Sequence, residues 1–202
     1  ALGPATAGAV VPCGALRRLG YLDAALGRRG GEGDFAALAT VGLAPDGGLI
    51  LLELWIDRAP PTRQVQALLD AHERAPFERL GLEATGFQEL LMLPIEEESR
   101  RREQATGSPA RLPLVPVRPR RPKPSRIASL EPLLSAGCLA LAETLPEEFW
   151  RELADYPRVA HDDALDAVAG AVELALEANA AGAAPPAERV ARRAPGGGAR
   201  GF

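Results

Sequence analysis

Little in this chain can crosslink, stack or span a membrane. Its 202 residues include two cysteines, Cys13 and Cys138, far apart and in no CxxC pair. That excludes a disulfide framework and a cysteine-based zinc site, and it fits a reducing compartment, which points to the cytoplasm. Aromatics are 4% of the residues, so a core has to be built mainly from Leu, Val and Ala. No apolar run approaches the ~20 residues that cross a bilayer. No charged start followed by an apolar stretch marks a signal peptide. His72 and His161 have no nucleophile in pattern beside them. The first residue is Ala rather than Met, as expected of a piece of something longer.

What remains is enough for one domain. Hydrophobic residues are 47% and charged residues 25%, a balance that supports a real core rather than wholesale disorder. Residues 1–16 read as a lead-in, 17–179 as the domain, and 180–202 as a disordered tail of Ala, Pro, Gly and Arg. The net charge of -4 argues against a general nucleic-acid coat but hides local patches.

Along the domain, 17–24, 35–43 and 49–56 read as strands joined by short turns, with Pro45-Asp46-Gly47-Gly48 as the clearest turn. Pro60-Pro61-Thr62 starts a helix that ends near Ala75. The strand at 79–85 comes after that helical crossover and is expected to run parallel beside the first. Thr85 and Gln88 form a capping box for the next helix. A strand at 112–117, a helical stretch at 124–136, a short strand at 138–141 and helices from about 147 and 161 complete the chain. The order predicts an α/β domain with a mixed five-stranded sheet flanked by helices.

Acids collect at element ends. Asp23 closes the first strand, Glu83 the strand after the crossover, and His161-Asp162-Asp163-Ala164-Leu165-Asp166 opens the last apolar helix. Functional groups in open α/β sheets gather beyond the carboxyl ends of parallel strands. Like charges crowded there need a cation, and oxygen-only ligands suit Mg²⁺ or Mn²⁺. Two such ions would activate a water and stabilise the leaving oxygen of a phosphodiester. Each acid also has a plainer role, as a turn residue or as a first-turn helix acid, and only their coincidence argues for a site. At 100° per residue, Asp162 sits at the edge of the inward face, Asp166 further round and Asp163 nearly opposite, which favours Asp162 as the ligand.

The second feature is basic. Between positions 100 and 126 stand Arg100, Arg101, Arg102, Arg111, Arg118, Arg120, Arg121, Lys123 and Arg126, against one acid, Glu103. Interspersed prolines make this stretch stiff and extended, and with no aromatic in it, backbone phosphates rather than bases are the expected contact. The glycines at 27–33 lack a Gly-Lys-Ser/Thr ending and read as a hairpin connection.

Taken together, Tyr21-Leu22-Asp23-Ala24-Ala25, Gly33-Asp34-Phe35, Glu83-Ala84-Thr85-Gly86-Phe87-Gln88, Lys123 with Arg126-Ile127, Gly137-Cys138-Leu139 and His161-Asp162-Asp163-Ala164-Leu165-Asp166-Ala167 resemble the C-terminal nuclease domain of tailed-phage terminase large subunits. The similarity keeps the motif order over roughly 17–178, and the closing His-Asp-Asp-x-x-Asp-Ala is its most specific part. The resemblance implies a ribonuclease H-like, two-metal DNA endonuclease that cuts concatemeric viral DNA during packaging, in the host-cell cytoplasm. It implies Asp23, Glu83 and the Asp162/Asp163 pair as catalytic metal ligands, Asp34 as an auxiliary acid, and Lys123 and Arg126 as DNA-facing; the basic stretch itself adds Arg118, Arg120 and Arg121 to the expected DNA contact. Partners would be double-stranded DNA, an ATPase domain, a small terminase subunit and a portal. Two departures stand out: Ala24 replaces a frequent Pro, and the chain carries no Walker A sequence for the ATPase. A non-catalytic DNA-binding or portal-docking module of the same fold, and another ribonuclease H-like nuclease such as a Holliday-junction resolvase, remain alternatives.

Overall fold

The computed structural model describes residues 12–25, 35–83 and 87–182. The glycine connection at 27–33, Asp34 and the capping Thr85 lie outside the described residues. Within them, β1 (Arg17–Asp23), β2 (Ala36–Leu43) and β3 (Leu49–Asp57) form the expected antiparallel meander. Helix α1 (Pro61–Arg74) crosses over to β4 (Arg79–Glu83), which pairs parallel with β1. After α2 (Phe87–Thr106), β5 (Leu114–Val117) joins β4 in parallel.

The sheet has six strands rather than the expected five, in the order β5-β4-β1-β2-β3-β6. The sixth, β6 (Leu139–Leu141), is three residues long and pairs parallel with β3. It falls within the short strand expected at 138–141, and its pairing with β3 is what adds it to the sheet. The stretch at 124–136 divides into α3 (Lys123–Ala128) and α4 (Leu130–Ser135), followed by α5 (Glu147–Asp155) and α6 (Asp163–Gly182). Residues 180–182, expected in the tail, therefore continue the last helix.

Both faces of the sheet are covered, which is why β2 reads as a nearly unbroken apolar run buried at every position. On one face, Leu22, Leu38, Leu80 and Leu82 meet Val65, Leu68 and Leu69 of α1 and Leu91 and Ile95 of α2. On the other, Leu19, Tyr21, Ala37, Ala39 and Val41 lie under α6. That helix is buried around most of its circumference, as its almost continuous Ala, Val and Leu require. It comes close because Gly170 faces the Tyr21 ring, where an added Cβ would lie 2.7 Å from ring carbons. Since alternate residues of β1 share a face, Asp23 emerges on the α6 side, in line with Leu19 and Tyr21.

Candidate active site

β1, β3, β4 and β5 all end at the same edge of the sheet, because β2 reverses direction between β1 and β3. The first turn of α6 reaches this edge from one side and α3 lies against α6. Asp23, Glu83, Asp162, Asp163 and Asp166 are therefore neighbours in space as well as in pattern. The charge of Glu83 acts on Asp23 from the adjoining strand end.

The centre of the group is Lys123. Its Nζ lies 2.9 Å from Asp162 Oδ1 and donates a 3.0 Å hydrogen bond to Asp163 Oδ1. Asp23 Oδ2 and Asp166 Oδ2 are 3.7 and 3.8 Å away. Three residues along α3, Arg126 donates through one terminal nitrogen to both oxygens of Asp166 at 2.6 Å. That pair is interior: the two side chains are 6% and 4% exposed, against 32% for Lys123.

The electrostatics follow from this crowding. Burial pushes the Asp23 carboxyl up to about 7; Lys123 opposes the shift, while the charges of Asp166, Asp163 and Glu83 add to it. Burial likewise raises Asp166 above the usual carboxylate range, against the pull of Arg126 and Lys123. Burial alone would lower the Lys123 ammonium, but hydrogen bonds to Asp162 and Asp163 and the charge of Asp23 outweigh it and hold Lys123 above the ordinary lysine value. Glu152 of α5 accepts a 3.2 Å hydrogen bond from the Leu165 N–H at the start of α6, where an anion complements the exposed donors. Its own burial, opposed by that hydrogen bond and reinforced by Asp163 and Asp162, brings it to about 7.

The donor chemistry suits a hard divalent ion, since every candidate ligand is a carboxylate oxygen. The arrangement is closed on the ammonium instead: among the described residues, no three acid, histidine or cysteine side chains are set out to hold a metal. The carboxylates converge on a cation, and that cation belongs to the chain.

Several sequence expectations change on this geometry. Asp162 precedes the helix, its carbonyl accepting the Asp166 N–H, so turning back by 100° from the helix body does not predict its direction. Asp163, expected opposite the inward face, is the more shielded of the two, at 15% against 35%. Arg126, expected to face DNA, is buried on Asp166. The basic stretch also divides. Arg102 is bound by Asp70, Glu73 and Glu98 on the α1–α2 side of the sheet. Arg118, Arg120 and Arg121 are exposed beside α6, with Arg121 paired to Glu173.

The Arg126–Asp166 pair and Glu152 were missed in the sequence. A signal for the pair was present: Lys123 and Arg126 have the same three-residue spacing as Asp163 and Asp166, so two adjoining helices can match rung for rung. His161, which precedes the acidic turn, packs edge-on against Phe35, with ring centroids 5.2 Å apart.

No family model matches the chain, and no curated protein matches it in sequence. Solved structures do match in shape. The human cytomegalovirus terminase nuclease domain, in a manganese-soaked, inhibitor-bound structure, aligns at 14% identity with a TM-score of 0.57, over 83% of this chain and 87% of that one. The large terminase nuclease of the thermophilic phage G20c aligns at 15% identity with a TM-score of 0.53, over 78% and 81%. This is the ribonuclease H-like fold of terminase nuclease domains. The α6-side acids stand at the edge of that fold where β1 and β4 end, and among the described residues no helix is long and apolar enough to cross a membrane.

Proposed function

We propose that the protein is a metal-dependent DNA endonuclease of the terminase type. The observation that carries the reading is the gathering of Asp23, Asp162, Asp163 and Asp166 around one ammonium at the strand-end edge of this fold. So many carboxylates held together is unfavourable without a cation, and a nuclease needs them together. Asp23, Glu83, Asp162 and Asp163 would hold Mg²⁺ or Mn²⁺, two ions in the fullest form of the mechanism. Such ions supply an activated water and charge relief on the leaving phosphodiester oxygen. Asp166 would stay outside this set because Arg126 engages both its oxygens.

Arg118, Arg120 and Arg121 would run along the duplex backbone beside the acids, and Lys123, once released from them, would join that contact. Asp34 would serve as an accessory acid. The proposed setting is the cutting of concatemeric viral DNA during genome packaging in the host cytoplasm, with an ATPase domain, small terminase subunit and portal as partners. What supports it is the likeness to terminase nuclease domains together with the order of the sequence motifs.

The test is nicking or linearisation of supercoiled plasmid with Mn²⁺ or Mg²⁺. Cleavage should vanish with EDTA and fall to background in Asp23→Ala. Full activity in that variant would sink the assignment. One observation favours a second reading, a non-catalytic DNA-binding module: Lys123 already occupies the cation position among the acids. Salt-sensitive DNA binding with no cleavage under any divalent ion would select it.

A further inference from the structure

Opposite the Arg118–Arg121 side of the site stands an arginine that the proposed function does not use. Arg58 follows β3 directly, and β3 ends at the same edge as β1 and β4. It is two strands from β1, or about 10 Å at ordinary strand spacing. Arg118 follows β5, two strands from β1 on the other side. The acids therefore stand midway between two exposed arginines at one edge of the sheet.

Arg58 makes one direct ring contact, and its surroundings are braced by two further interactions. Its guanidinium carbon lies 4.4 Å from the Phe35 ring centroid. The Phe35 ring is in turn braced edge-on by His161, at an interplanar angle of 80°, and His161 adjoins Asp162. Beneath them, Gln64 is fully buried and its amide nitrogen donates to Ala25 O at 2.6 Å and to Ala59 O at 2.9 Å. One side chain thus ties the segment just past Asp23 to the segment just past Arg58.

A guanidinium over a ring is held by its face and keeps its N–H edge for in-plane partners, the geometry that suits a phosphate. We infer that Arg58 is a backbone-phosphate contact, preorganised by Phe35 and Gln64, that holds the nucleic-acid strand on the β3 side of the acids. The inference rests on the nuclease reading. It differs from a general basic surface in requiring the plane of the guanidinium as well as its charge.

The experiment is binding of a fluorescein-labelled 30-base-pair duplex in EDTA, titrated over salt, for the wild type, Arg58→Gln, Arg58→Lys and Phe35→Ala. A lost phosphate contact should reduce the slope of log affinity against log salt by about 0.9. Arg58→Gln should show that change with affinity lowered severalfold. Arg58→Lys should keep the slope but lose affinity, and Phe35→Ala should weaken binding with Arg58 intact. The Mn²⁺-induced rise in Tm should be the same in Arg58→Gln as in the wild type, which a general loss of structure would not allow. A wild-type slope in Arg58→Gln overturns the inference while leaving the nuclease reading standing. Loss of the Mn²⁺ effect in that variant overturns it too, by making Arg58 structural. A wild type that binds no duplex sinks both.

Discussion

Lys123 and Arg126 stand three residues apart on one short helix and face the same acidic turn, yet they hold it differently. Arg126 is enclosed and grips a single carboxylate through both its oxygens. Lys123 is a third exposed and is divided among four carboxylates between 2.9 and 3.8 Å away. A planar guanidinium matches one carboxylate, whereas a compact ammonium is a point charge that another cation can replace. The first arrangement fixes α3 against α6; the second leaves four carboxylates on a part-exposed ammonium, at the place where a divalent ion is proposed to bind.

The largest effect should come from breaking the enclosed pair. Arg126→Met leaves Asp166 buried without its partner, and such losses run to about 3–5 kcal/mol. A marked fall in Tm, unrepaired by millimolar Mn²⁺, is the expected result by thermal melting. Lys123→Met should behave in the opposite way. The metal-free protein loses a smaller amount of stability, and removing a competing charge should tighten Mn²⁺ binding roughly tenfold, measured by electron paramagnetic resonance of free Mn²⁺. Equal melting losses in the two variants, both beyond rescue by metal, would erase the distinction.

The smallest effect is the pH dependence. Asp23 and Glu152 sit at about 7, above their ordinary values of 3.8 and 4.5. The folded protein therefore binds more protons than the unfolded chain between those limits. Their contribution to stability is complete below the unfolded values and is lost as pH rises through 7. The metal-free Tm should fall by a few degrees from about pH 5 to about pH 8. Saturating Mn²⁺ should flatten that slope, because the ion replaces the protons. A metal-free Tm that rises over this interval would show that the acids are not held together as described.

Much of this could be read from the residues. The apolar runs of β1 to β3 between turn signals, the turn at Pro45–Gly48 and the crossover before β4 led to the observed pairing, because each depends on local pattern and on the handedness of short connections. Asp23 and Glu83 were located by the same logic, as strand ends. Asp162 was harder, because helical periodicity holds only within a helix and α6 begins at Asp163. Asp162 lies one residue before that start, where the angle is set by the approach of the chain.

By itself the sequence determined a mixed sheet covered on both faces and a set of acids at element ends, since burial pattern and turn chemistry are local properties. Only the tertiary structure decided which cation meets which acid. Arg126 reads as surface charge until α3 is laid along α6, and Arg102 belongs to the same run of basic residues until the sheet separates them. Arg58, Phe35 and His161 are 23 to 126 positions apart in the chain. Their contact exists because strand order brings the ends of β1 and β3, the start of β2 and the entrance to α6 to one edge.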